Sequence, residues 1–86
     1  MKFNMHTDHG HGWLEVDVEL AERLLGDKVS VYSYISDDCK TVYLEEDCDA
    51  TAFIEALNKN QIEHEIVEIW HEGDCFVRSL SHIEVK

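Results

Sequence analysis

The stretch Thr41–Asn60, TVYLEEDCDATAFIEALNKN, constrains the fold more than any other part of the chain. It opens with the alternation of a short strand over Thr41–Glu45, Val42 and Leu44 facing one way and Tyr43 and Glu45 the other. It then passes through four carboxylates, Glu45, Glu46, Asp47 and Asp49, and continues as a helix. Ala50, Phe53, Ile54 and Leu57 recur at the i, i+3, i+4 and i+7 spacing of a single apolar helix stripe. Asp49 is placed to accept free N–H groups at the helix start, and Cys48 to pack on Phe53 as a staple. The negative charges suit the positive pole of the helix, while their mutual repulsion opposes part of that gain. Asn58-Lys59-Asn60 reads as the stop, because Asn tolerates the left-handed conformation.

The flanking elements follow from the same periodicities. WLEVDV, Trp13–Val18, alternates as a half-buried strand with Leu14, Val16 and Val18 on the apolar side. Asp17 then caps a short helix over Val18–Leu25, ended by Gly26, with Leu20, Ala21, Leu24 and Leu25 inward. KVSVYSYI, Lys28–Ile35, is a strand that sets Val29, Val31, Ser33 and Ile35 against Ser30, Tyr32 and Tyr34. The turn Ser36–Lys40 joins it to Thr41–Glu45 as an antiparallel hairpin. Gln61–His71 is a long strand with a broken pattern: Ile62, Ile66 and Trp70 share one parity, Val67 and Ile69 the other. A bulge near Ile66 or burial on both faces accounts for it. After the turn Glu72–Asp74, a last strand is expected over Cys75–Leu80, where Arg78 shares a side with Phe76 and Leu80 and so calls for a carboxylate. From Ser81 the chain is a tail or a short edge strand. The expectation is one α+β domain over residues 1–86, two layers in the order β-α-β-β-α-β-β. Its sheet is mostly antiparallel with both helices on one face, and residues 1–11 are a flexible arm.

Charge narrows the partners. Nineteen Asp and Glu against seven Lys and Arg leave a formal charge of −12. Such a surface repels nucleic-acid phosphates and favours basic protein surfaces, including those of nucleic-acid-binding proteins; equally, acidity can serve solubility alone. No stretch has the apolar length of a membrane span, and no secretory signal is read. Three cysteines, Cys39, Cys48 and Cys75, with no CxxC pair, suit reduced thiols in a cytoplasm and read as small packing residues. The carboxylates around Cys48 should raise its pKa and weaken it as a nucleophile.

Two constellations carry chemistry. His6, His9 and His11, with Asp8 between them, can present imidazoles to zinc or nickel, although the spacing matches no structural zinc motif. The competing reading is a loose arm, or a first strand with exposed histidines. The second is the acid box Glu45, Glu46, Asp47 and Asp49 with Asp37 and Asp38 of the neighbouring turn. Tyr32 and Tyr34 form either a recognition face or packing. EEDCD lacks the alternating ligands and central glycine of a calcium loop. There is no nucleophile elbow, phosphate-cradling glycine loop or HExxH helix, and catalysis is not expected.

The blocks HGWLEV, SVYSYI, VYLEEDCDA and VRSL resemble those of small uncharacterised acidic proteins carried by bacteriophages and plasmids, over most of the chain from His11 onward. The resemblance implies a setting in which small acidic proteins block host restriction or CRISPR complexes. Charge and setting together lead to the expectation of a non-catalytic protein without a cofactor. Its acidic face, Glu45, Glu46, Asp47, Asp49, Asp37 and Asp38, engages a basic surface on a host protein. The alternatives are a metal- or small-ligand-binding module and an assembly protein dimerising through its sheet.

Overall fold

The structure, a computed structural model, describes residues 1–26 and 33–82. Its centre is the antiparallel pairing of β2 (Gly12–Asp17) with β4 (Thr41–Glu45). Leu14 lies opposite Leu44 and Val16 opposite Val42, so four apolar side chains share one face. Two helices cover that face. In α1 (Val18–Leu25) the Asp17 carboxylate accepts the Glu19 N–H at 2.8 Å, and the Gly26 N–H returns to the Glu22 carbonyl with Gly26 at φ 62°. In α2 (Asp49–Lys59) Ala50, Phe53 and Leu57 are buried and Ile54 packs beside them, as the spacing predicts. The fold is α+β, with a mostly antiparallel sheet and both helices on one face. β3 (Tyr34–Ile35) makes the expected hairpin with β4, Tyr34 opposite Tyr43 and Ile35 opposite Val42. The earlier part of the predicted strand, Tyr32 included, lies outside the described residues.

Three expectations are corrected. The chain start is not a loose arm: Lys2–Thr7 is a strand, β1, inserted between β2 and β5 (Glu65–Trp70). KFNMHT alternates, and the alternation turns Phe3 and Met5 toward the helices, where Phe3 meets the Phe53 ring edge-on at 5.4 Å. β5 runs parallel to β1 in unbroken register from Lys2↔Glu65 to Thr7↔Trp70, so no bulge is needed. Its pattern looked irregular because Ile62 precedes the strand and packs against the helix-side core. Val67 and Ile69 are half-buried, while Ile66 and Trp70 stand exposed at the sheet edge.

The expected strand Cys75–Leu80 is instead a short 3-10 helix, Phe76–Ser79. β5 ends at one edge of the sheet, and β6 (Ser81–His82) pairs with β3 at the other. The residues between must therefore cross the sheet's second face. A chain crossing strands cannot join their ladder, so it satisfies its backbone locally, Arg78 N–H to the Cys75 carbonyl and Leu80 N–H to that of Val77. Cys75 and Val77 are buried beneath it against Trp13 and Tyr43.

α2 ends at Lys59 with Asn60 as its cap, inside the expected stop, but the left-handed residue is not an Asn. Asn60 keeps a negative φ of −92°, and Gln61 takes the left-handed conformation at φ 56°. The Ile62 N–H then closes on the Leu57 carbonyl at 2.9 Å. A side chain in that conformation is strained by roughly 1–2 kcal/mol; glycine removes that strain, and its looser unfolded chain offsets part of the gain. Gln61→Gly should accordingly raise stability by up to about 1 kcal/mol in urea melts.

Candidate functional site

The second face of the sheet gathers most of the chain's chemistry. It is organised by Asp8, whose side chain is fully enclosed. Asp8 Oδ1 accepts the Gly10 and His11 N–H groups, shaping the turn between β1 and β2. Oδ2 accepts the Cys75 N–H at 2.9 Å, and the Arg78 guanidinium bridges both oxygens, Nε at 2.6 Å and Nη2 at 2.8 Å. The carboxylate expected for Arg78 is thus Asp8. Arg78 first, then the three N–H groups, holds the Asp8 carboxyl far below the usual carboxylate range against the opposing effect of burial. A Cβ on Gly10 would lie 2.8 Å from Arg78 Nη2, so only glycine lets the guanidinium come this close.

Beside this clamp lies a cavity of about 340 Å³ lined by His11, Trp13, Tyr34, Glu45, Asp47, Cys48, Arg78 and His82. Its walls are aromatic. Tyr34 meets Trp13 edge-on at 6.1 Å and lies 4.1 Å from the His82 ring, while the Arg78 guanidinium sits 5.2 Å from the Trp13 ring centre. The Trp13 indole N–H is buried without a hydrogen-bond partner among the described residues.

The acid box divides by role. Glu45 is buried, and its Oε2 accepts the N–H groups of Asp47 and Cys48 in the loop ahead of the helix that Asp49 was expected to cap. Asp49 is instead the first residue of α2, buried, and accepts a hydrogen bond from Ser33, whose Oγ also accepts the Glu45 N–H. Neither presents a free acid to a partner in the way the sequence suggested. Glu46 is half-buried over Gly12, and Asp47 is exposed. Asp37 and Asp38 are exposed on the β3–β4 turn. Asp38 accepts from Ser36 Oγ and the Lys40 N–H, which lower its pKa. Tyr34 reaches the cavity. Cys39 and Cys48 are exposed rather than packed, Cys48 makes no staple, and Cys75 alone of the three is buried. Desolvation and then the Glu45 carboxylate raise the Cys48 thiol, as expected.

The three histidines are not brought together. The His11 ring lies tilted beside Trp13 at 6.0 Å, and His9 bonds to Asp74 at 3.0 Å on the surface. His6 points instead into the second face, buried, because position 6 of β1 has the parity opposite to Phe3 and Met5. There its Nδ1 lies 2.8 Å from His71 Nε2, and its Nε2 lies 2.9 Å from Glu15 Oε1. Cys75 completes a group whose ligand-capable atoms lie within 4.8 Å of one another. Tyr43 and Phe76 flank His6 edge-on, and Phe76 also meets His71. His71, Cys75 and Glu15 escape sequence reasoning because Glu15 reaches His6 from the paired strand β2, His71 from the end of β5 beside β1, and Cys75 from the segment that crosses the second face. No helix among the described residues is long and apolar enough to cross a membrane.

No family model matches the chain, and comparisons with curated proteins and with solved structures likewise give no match.

Proposed function

We propose that this is a non-catalytic binding protein that engages a basic protein surface, with a cationic side chain of the partner entering the Trp13–Tyr34 cavity. The observation that carries the reading is the pairing of aromatic walls with carboxylates at that cavity: the exposed Asp47 is the acid open to a partner, and Glu45, held by loop N–H groups, also lines it. An ammonium or guanidinium gains from an aromatic face, and more so where carboxylates add attraction. Arg78 already lies over the Trp13 ring. Its own charge is matched by Asp8, so it does not repel a second cation strongly. Exposed Glu and Asp elsewhere on the chain, Asp37 and Asp38 among them, add a long-range field that speeds encounter with a basic partner. The raised pKa of Cys48 disfavours the thiolate that cysteine chemistry would need. Mobile-element proteins that inhibit host defence, the setting implied by the resemblance, meet basic surfaces of this kind on nucleic-acid-processing proteins.

Glu45 holds the N–H groups of the loop and Asp49 the Ser33 hydroxyl, so the test spares them. A lysine- and arginine-rich peptide serves as the probe, and Glu46→Gln with Asp47→Asn as the variant. The wild type should bind the peptide with an affinity that falls steeply as salt is added, since exposed charges are screened over about 8–10 Å at ordinary ionic strength. The variant should keep its melting temperature and bind at least several-fold more weakly. Equal binding by wild type and variant, with a flat salt response, would reject the reading.

A further inference from the structure

Away from the cavity, and sharing none of its lining residues, the His6–His71–Cys75 group has the donor set of a transition-metal site. We infer that these three residues bind a zinc ion through His6 Nδ1, His71 Nε2 and Cys75 Sγ, with Glu15 orienting His6 and the fourth position open to water or a partner's ligand.

The hydrogen-bond geometry assigns the atoms. Glu15 Oε1 lies 2.9 Å from His6 Nε2, so a proton on Nε2 is held by the carboxylate and the Nδ1 lone pair is turned toward His71. Carboxylate–histidine pairs of this kind fix ring orientation and raise ligand basicity at metal sites. Two imidazoles and one thiolate suit zinc, and three protein ligands leave the fourth tetrahedral position open. Zinc bond lengths of ~2.0–2.1 Å to nitrogen and ~2.3 Å to sulfur place tetrahedral ligand atoms about 3.3–3.6 Å apart. The 2.8 Å His6–His71 separation therefore needs only a small opening and the other pairs, within 4.8 Å, a modest closing. His71 is half-buried just beyond β5 and lies outside any helix or strand, so it can make that adjustment. On binding, the thiol proton of Cys75 leaves to solvent, and the proton that His71 Nε2 donates to His6 Nδ1 is also released to solvent while His71 Nδ1 takes one up, so that the neutral ring offers Nε2 to the metal. The aromatic rings of Tyr43 and Phe76 make the surroundings apolar, which strengthens a charged metal–thiolate pair.

The other cluster with suitable atoms, Asp8 with His9 and Asp74, does not compete. Both Asp8 oxygens are already committed to Arg78 and three backbone N–H groups, and the remaining two residues are exposed.

A metal here would tie β1 to the segment that crosses the second face, joining residues 65 positions apart in the chain. The test is a titration of the chelator-treated full chain with cobalt(II), then displacement by zinc(II). One equivalent should bind, with the near-ultraviolet thiolate-to-cobalt band and the visible bands of a tetrahedral ion. Cys75→Ser, which changes one atom, should abolish the thiolate band while circular dichroism stays unchanged. His71→Ala should remove the tetrahedral spectrum, and Glu15→Gln should weaken binding by about 10–100-fold. A Cys39→Ser/Cys48→Ser variant, and one carrying His9→Ala with His11→Ala, should bind as the wild type does. A thiolate band that survives Cys75→Ser, or the lack of any such band in the folded wild type, would overturn the assignment. Neither result bears on the binding of a basic peptide, which uses other residues.

Discussion

Phe53→Ala should cost about 3–5 kcal/mol of folding stability, the largest loss expected from a single apolar substitution in this chain. Phe53 has no exposed surface, sits on the α2 stripe between Ala50 and Leu57, and receives the edge of Phe3 from β1. Truncation removes the ring's burial and leaves a void bounded by a second aromatic ring, which cannot collapse into it without moving a central strand. Domains of this size are commonly stable by only about 5 kcal/mol or somewhat more. The variant should therefore be largely unfolded at physiological temperature and show a much lower urea midpoint with an unchanged slope. A loss under about 1 kcal/mol would mean that α2 does not present this face to the sheet.

Asp8→Asn should be the most damaging polar substitution. It leaves the Arg78 guanidinium without its carboxylate and presents an NH₂ group where N–H donors converge from Gly10, His11 and Cys75. The crossing segment, docked through Cys75 and Arg78, should lose its protection in hydrogen exchange, while α2 keeps its own. The same group sets an acid limit on stability. Its folded pKa is held well below its unfolded value, which is about 3.9. The contribution is therefore complete above the unfolded pKa and is lost as pH falls below it toward the folded pKa. Wild-type melting temperature should drop as pH is lowered from about 5 to about 2, and Asp8→Asn should flatten that limb. An acid limb equally steep in both proteins would show that other carboxylates control it.

Local rules reached the parts of the fold that local interactions determine. The Asp17 cap, the Gly26 stop and the α2 stripe need only neighbours within a turn or two, and each stands where its spacing put it. A first strand is one reading of the chain start, and the loose arm is the preferred one because Phe3 and Met5 supply only two apolar positions before a run of histidines and glycines. The alternation of KFNMHT was nonetheless present. Cys75–Leu80 misled for a different reason. Burial of Cys75 and Val77 repeats with the period of a strand, yet a segment crossing the sheet can bury the same two residues from a 3-10 turn. The need of Arg78 for a carboxylate was legible; the choice of Asp8, 70 residues away, was not.

The candidate sites show the same division. Counting carboxylates between Glu45 and Asp49 could not reveal that Glu45 would take the loop's N–H groups and Asp49 the Ser33 hydroxyl. Which acids remain for a partner depends on which backbone donors the fold leaves unmet. Similarly, His6, His9 and His11 are close in sequence but lie on a strand and the turn after it, so strand parity sends His6 to one cluster and the turn sends the others to the surface.

Entry of a cationic side chain into the Trp13–Tyr34 cavity, as proposed, would be reported most directly by the Trp13 indole N–H. Its proton is enclosed without a partner among the described residues, so a neighbouring charge should move its resonance strongly. Titration with the basic peptide, followed by proton–nitrogen correlation spectra, should shift the Trp13 indole, Tyr34, Asp47 and His82 signals together along one binding curve. The Trp70 indole, exposed at the far edge of the sheet, should stay in place. Shifts spread evenly over exposed carboxylates around the whole surface, with the Trp13 indole unmoved, would contradict the claim and leave only diffuse charge attraction.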